Sequence, residues 1–186
     1  MRRRYHHMHC ETPLDPHSSY EGFWWSHMGW ILENDATLER VGDRSNLGDM
    51  DADPFYKHLE KWYAVHLGAM FAALWALGGF GAVVWGGALR VVWVWHVTWL
   101  VNSACHLWGR QAYNTGDLSM NNWWVGLLAW GEGWHNNHHA FEFSARHGLK
   151  WWQVDLTWQV VRLLRVVGLA DKVKLPSEQQ KAKMAL

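Results

Sequence analysis

The chain has 186 residues, one domain's worth of material, and its 17 basic and 17 acidic residues give a formal net charge of zero. The basic residues are scattered, which argues against a nucleic-acid partner, and two cysteines, Cys10 and Cys105, are too few for a disulfide framework. The unusual content is 17 tryptophans and 13 histidines; tryptophan at this density points to membrane interfaces or a large apolar channel.

The chain opens with Met1-Arg-Arg-Arg-Tyr-His-His, basic residues with no apolar stretch behind them. It is neither a signal peptide nor a complete transit peptide, and a start so close to His6-His7-Met8-His9 reads as truncated. Residues 1–20 are polar with little periodicity. Gly22-Phe-Trp-Trp-Ser-His-Met-Gly-Trp-Ile-Leu32 is aromatic and too short to span a bilayer, so it reads as an interfacial or re-entrant piece. From Glu33 to Pro54 the pairs Gly42-Asp43, Gly48-Asp49 and Asp53-Pro54 predict a surface loop.

No Asp, Glu, Lys or Arg occurs from Trp62 to Leu89, nor from Val91 to Gly109. Each run is long enough to cross a hydrocarbon core of about 30 Å at ~1.5 Å per residue. The first span is expected over Tyr63–Val84, with small residues Gly78, Gly79, Gly81 and Ala82 for close helix contact. A tight turn follows at Gly86-Gly87, and the second span covers Val91–Trp108. Lys57, Lys61 and Arg110 flank one side and Arg90 the other, so both ends of the hairpin belong in the cytosol or its equivalent. Two spans return the chain to its starting side. Histidines before and after the hairpin can therefore share one site.

Beyond the hairpin, Gly131-Glu-Gly-Trp-His-Asn-Asn-His-His139 places His135, His138 and His139 at i, i+3 and i+4, on one helical face. Imidazole is a common ligand of zinc, copper, iron and nickel, and three on one turn make most of a metal site. The tail from Trp151 to Gly168 predicts an amphipathic helix against the membrane or capping the site, and Ser177 with Gln180 predicts a capping box.

His106 lies in the second span, about 6 Å inside its Arg110 end, and a histidine there is a functional candidate by default. Asn102 precedes it by one turn and is placed to hold a bound water. The stripe Trp95, Trp99, Asn102, His106 is either the wall of an apolar channel or a packing seam. His66 and His96 lie at opposite depths, too far apart to sandwich a haem iron. Glu132-Gly-Trp-His135 is one Glu-x-x-His motif without a second, so a carboxylate di-iron bundle is disfavoured. Carboxylates near the histidines look sparse, and a histidine-dominated site is expected.

Asn102-Ser-Ala-Cys-His106, Asn114-Thr-Gly-Asp117, Gly131–His139 and Trp151-Trp-Gln-Val-Asp155 resemble the second half of a membrane fatty-acid desaturase of the delta-9 type, in the plant, algal and cyanobacterial branch. Arg4-Tyr-His-His7, Asp15-Pro-His-Ser18 and Gly22-Phe-Trp-Trp-Ser-His27 resemble that family's second histidine box and its sequel. Two features depart from the pattern. Arg3 stands where the box has its first histidine, and arginine has no lone pair for a metal; the first box is absent. The chain therefore reads as a C-terminal part.

The resemblance implies an all-α integral membrane protein: a transmembrane helical hairpin with a cytosolic or stromal helical cap carrying a histidine-rich di-iron site. The expected division is residues 1–61 (second histidine box, interfacial piece and loop), 62–110 (hairpin) and 111–186 (cap). It implies two iron ions (Fe2+) held by His6, His7, His106, His135, His138 and His139, with Asn102 acting through water. Trp95 and Trp99 are the candidate channel residues. The implied reaction inserts a cis double bond into an acyl-CoA or acyl-lipid, using dioxygen and two electrons from ferredoxin or a small haem cytochrome. The implied location is the endoplasmic reticulum or a chloroplast membrane. The alternatives are a histidine-box lipid hydroxylase and a catalytically dead truncated partner.

Overall fold

A computed structural model describes residues 2–42 and 47–186, with side chains from residue 5 onward. The side chain of Arg3 and the Asp43 half of the expected Gly42-Asp43 turn lie outside the described residues. All named elements among the described residues are helical; extended pairing is limited to isolated antiparallel bridges, Arg110–Asn121, Tyr113–Ala185 and Asn121–Trp134.

Helix α1 (Arg2–His9) carries the first histidine cluster. A 3-10 turn, Ser19–Glu21, follows, and the Ser18 hydroxyl accepts from Tyr20 N–H at its start. The aromatic segment continues through a π turn, Trp25–Gly29, into the short α2 (Trp30–Leu32). The loop expected between Glu33 and Pro54 is instead mostly helical: α3 (Asn34–Val41) and α4 (Gly48–Ala52). Its turn residues mark helix ends. Gly42, at φ 66°, terminates α3 with its N–H on the Leu38 carbonyl. Asp53 caps the next helix through Phe55 N–H, with Pro54 in the first turn.

That next helix, α5 (Pro54–Ala82), is broken at Gly79 (φ 62°, ψ −155°), and a π segment, Val83–Leu89, leads into α6 (Arg90–Leu107). The chain reverses at Gly79, because residues on either side of it meet. Arg90 Nη2 lies 3.2 Å from Met70 Sδ, and Cβ atoms built on Gly86 and Gly87 would meet Leu74 and Phe71. The turn expected at Gly86-Gly87 is thus corrected to Gly79. The glycine pair supplies close contact: a Cβ on Gly87 would sit 2.4 Å from the Phe71 ring. Arg90 is consequently in the wall of the second arm, donating to the Gly86 carbonyl at 2.8 Å.

None of α5 is buried, and Trp62, Tyr63, Trp75, Leu77, Phe80 and Trp85 face outward. By length and composition this helical stretch is long and apolar enough to cross a membrane. The conformation at Gly79 is one that side-chain-bearing residues rarely adopt. Gly79→Ala is expected to destabilise the protein by about 1–3 kcal/mol, read as a lower melting temperature in detergent. Gly81→Ala, with open space around the added methyl, should not lower it.

The packed part of the molecule gathers on the far half of α6. Val101, Ala104 and Cys105 form a small core with Val125 and Ala129 of the region around α7 (Trp123–Leu128), whose first turn is capped by Asn122. The remaining helices are α8 (His135–Ala140), α9 (Leu156–Val166) and α10 (Glu178–Met184). Asp155 caps α9, and the predicted capping box of Ser177 and Gln180 opens α10. Helix α9 is amphipathic as expected: Trp158 is buried while Leu156, Val160, Leu163 and Val167 lie exposed along one face.

Candidate metal centre

Helix α8 is only six residues long, and its surroundings fix its orientation. His135, His138 and His139 face the interior of the site, while Asn136 and Asn137 are turned to the loops behind. Asn136 Oδ1 accepts from the backbone N–H groups of Ala112 and Tyr113, and its Nδ2 donates to the Tyr113 carbonyl. Asn137 Nδ2 donates to the His147 carbonyl and to Gln153 Oε1, and its Oδ1 accepts from Asn121. A buried amide satisfied on both ends resists rotation. The alternation of histidine and asparagine in this stretch therefore encodes one face for ligands and one for anchoring.

Three elements bring their histidines together here. The His106 ring from α6 is centred 4.9 Å from that of His135 and 5.2 Å from that of His139. From α1, His6 lies 5.4 Å from His106 and 5.6 Å from His139, and His7 lies 5.1 Å from His138 and 4.8 Å from His139. All six histidines singled out in the sequence meet. Asn102 shares a cavity wall with five of the site's residues, His6, His7, Glu132, His135 and His138. His9 turns away and stacks on Tyr5.

The expectation of few carboxylates is overturned. Glu11 Oε1 lies 2.7 Å from His106 Nδ1, Asp15 Oδ1 and Oδ2 each lie 2.9 Å from His6 Nδ1, and Asp117 Oδ2 lies 2.6 Å from His139 Nδ1. A carboxylate on Nδ1 holds the proton there, fixes the ring, and leaves Nε2 as the lone-pair donor. These carboxylates escaped the sequence reading because they reach their histidines across the fold: Glu11 and His106 are 95 residues apart. Cys10, which had no metal-type spacing, has its Sγ 3.6 Å from His6 Nε2.

The charge states follow from burial and these contacts. Burial opposes ionisation of Asp117, yet hydrogen bonds from His139, Ser119 and Thr115 hold its carboxyl well below the usual range. Burial likewise opposes ionisation of Asp15, and the His6 ring outweighs it, bringing the carboxyl down to about 2. Burial, reinforced by His139, His6 and His106, pushes His7 down to about 4, and burial holds His135 well below its ordinary value. Neutral imidazoles beside ionised carboxylates are what a cation site needs.

The donor set fits a metal. His106 Nε2 and His139 Nε2 each lie 3.0 Å from His135 Nε2. With Nδ1 of His106 and His139 tied to carboxylates, both Nε2 atoms are acceptors, and a proton on His135 Nε2 can serve one of them only. A cation among the three removes that repulsion. His106, His135 and His139 present ligand atoms within 4.8 Å of one another, as do His6, Cys10 and His139.

A cavity of about 680 Å³ runs from the histidines along α6, lined there by Trp93, Val94, Val97, Thr98, Val101 and Asn102. Trp95 and Trp99 stack on each other at 5.8 Å, and Trp99 packs on His27 and His96. Trp95 and Trp99 do not line this cavity, whereas Asn102 of the same stripe does. His66 pairs with His58, and His27 Nε2 meets His96 Nδ1 at 3.0 Å.

Residues 1–165 match the family described as fatty acid desaturase. The chain is 60% identical to a chloroplastic palmitoyl-monogalactosyldiacylglycerol delta-7 desaturase of Arabidopsis thaliana, over 98% of this chain and 49% of that protein. It is 53% identical to an acyl-CoA 5-desaturase of Anemone leveillei, covering 98% and 57%, and 51% identical to an sn-1 stearoyl-lipid 9-desaturase of Anabaena variabilis, covering 95% and 64%. It spans about half the length of the curated relatives it matches.

Proposed function

The chain belongs to the fatty acid desaturase family, and we propose that it carries the metal centre and channel wall of an acyl-lipid or acyl-CoA desaturase of the delta-9 type. The observation that carries this reading is the meeting of six histidines from three helices, three of them held at Nδ1 by carboxylates, at the mouth of an apolar cavity. The proposed ligands are His6, His7, His106, His135, His138 and His139, with Asn102 acting through a water. The donor set suits two iron ions: imidazole is a good ligand for iron, and Glu11, Asp15 and Asp117 offset the added charge.

When bound, the irons supply, with dioxygen and two electrons, the oxidising power that an unactivated methylene C–H bond requires. The net change balances as CH2–CH2 plus O2, two electrons and two protons, giving cis CH=CH and two waters. The protein's share is geometric. Trp93, Val97 and Val101 exclude water and hold an acyl chain alongside α6, so proximity selects the carbon pair that meets the centre. Glu11, Asp15 and Asp117 keep their protons on the Nδ1 atoms. Relatives of similar identity carry 7, 5 and 9 in their names, and the channel is the proposed determinant of the position.

The apolar hairpin, reversed at Gly79, is proposed to cross the membrane, with α9 lying along its surface by the exposed face of Leu156, Val160, Leu163 and Val167. A chloroplast membrane with ferredoxin as donor, or the endoplasmic reticulum with a small haem cytochrome, completes the proposal; the relative named as chloroplastic favours the former. The test is expression of the complete protein in a host lacking the matching desaturase. Fatty-acid analysis should reveal a new cis-monounsaturated chain, and its double-bond position reads out the regiochemistry. A hydroxylated chain instead would assign a hydroxylase, and an unchanged profile with substoichiometric iron would reject the catalytic reading.

A further inference from the structure

Trp130 is absent from the channel residues expected from the sequence, yet its backbone conformation singles it out. At φ 55° it occupies the left-handed region, where a bulky residue is a genuine outlier. The cause is its place in the chain. Helix α7 ends at Leu128, and the Gly131 N–H closes back on the Gly126 carbonyl at 2.8 Å. In that terminating motif the residue before the closing N–H is left-handed, and glycine is its usual occupant. Here the glycine comes one residue later, and an indole takes the strained place.

The corner that carries the indole is held at several points. Glu132 N–H donates to the Ala129 carbonyl at 3.1 Å. The Trp130 carbonyl accepts from Thr157 N–H at 3.1 Å and from Thr157 Oγ1 at 3.3 Å. A Cβ on Gly131 would lie 2.5 Å from Asp155 Oδ1, so the corner is pressed against the cap of α9. Ala129 packs into the small core with Val101, which is about 7.5 Å along α6 from His106. Trp130 and Thr157 both line the cavity that His135 and His138 border. A strained conformation persists only where its surroundings over-determine it. What these contacts secure is a large aromatic ring in the cavity wall beside the histidines.

We propose that Trp130 is a specificity-determining residue, its indole setting the bore of the acyl channel beside the metal centre. The inference rests on the desaturase reading above, and its test separates the two. A chain gripped at that level presents one carbon pair to the centre, and a wider bore lets it slide by a methylene. The complete protein and its Trp130→Gly and Trp130→Phe variants are expressed in a host lacking the matching desaturase. Trp130→Gly removes the indole and the backbone strain together, so the turn itself is relieved. Iron per chain should stay at the parent level. The ratio of secondary to main double-bond isomer should rise at least about tenfold, the lower end of what one methylene's fit discriminates in an apolar pocket. Trp130→Phe should fall between. Loss of stability alone lowers iron and yield but leaves that ratio unchanged. A parent that makes no new unsaturated chain overturns the desaturase reading and this inference with it. Given parent product, parent-like isomer ratios in both variants overturn the inference alone. Should Trp130→Gly lose its iron, Trp130→Phe decides: a shifted ratio supports the assignment, and the parent's ratio overturns it.

Discussion

Replacing His135 with alanine in the complete protein is expected to remove both iron and unsaturated product. His135 is the residue on which the centre closes: its Nε2 faces the Nε2 atoms of His106 and His139, each at 3.0 Å. Its removal breaks the link between α6 and α8 in the donor set and leaves the carboxylates Glu11 and Asp117 without a cation to balance. The expected loss exceeds the roughly 10- to 100-fold that follows removal of an outer hydrogen-bond partner. Asp117→Ala supplies that smaller step, because His139 keeps its lone pair but loses the acceptor 2.6 Å from Nδ1. Iron analysis and fatty-acid profiles of the two variants should therefore rank His135→Ala below Asp117→Ala, and both below the parent. Full activity with full iron in His135→Ala would sink the site assignment.

Gly133→Ala should strongly weaken metal binding without touching a ligand. A methyl built on Gly133 would lie 2.0 Å from Gly126 N and 2.6 Å from both the Asn122 carbonyl oxygen and Gly126 Cα. All three are backbone atoms of the α7 start, so no flexible side chain can yield. The Gly133 carbonyl also accepts from Asn122 N–H at 2.7 Å, which ties the two strands of backbone at the point of collision. To admit the methyl, α7 and α8 must separate by more than an ångström, carrying His135 with them. Overpacking of this kind costs about 1–3 kcal/mol and occasionally more. The variant should melt lower than the parent and bind cobalt or iron far more weakly, whereas Gly68→Ala, with open space around it, should do neither. Parent-like melting and parent-like metal affinity in Gly133→Ala would show that this backbone approach is not needed.

Much of this protein is legible without coordinates. The charge-free runs mark the helical arms, the i, i+3, i+4 spacing puts His135, His138 and His139 on one face, and Ser177 with Gln180 announces a capping box that forms. These features rest on interactions between residues a few positions apart, and such interactions are properties of the sequence itself.

The tertiary structure decided the rest. A glycine pair serves equally as a turn or as a close-contact surface, and only the ring of Phe71 against Gly87 assigns the latter, moving the reversal to Gly79. Turn residues between Glu33 and Pro54 mark helix ends as readily as loop, and the caps at Gly42 and Asp53 chose the former. Glu11 and Asp15 sit in a polar stretch with no periodicity to single them out. Their roles appear once the fold brings α1 and its sequel beside α6 and α8, where burial makes each nitrogen and oxygen need a partner. Sequence spacing determines which side chains share a local face; chain reversal and burial determine which distant ones must meet.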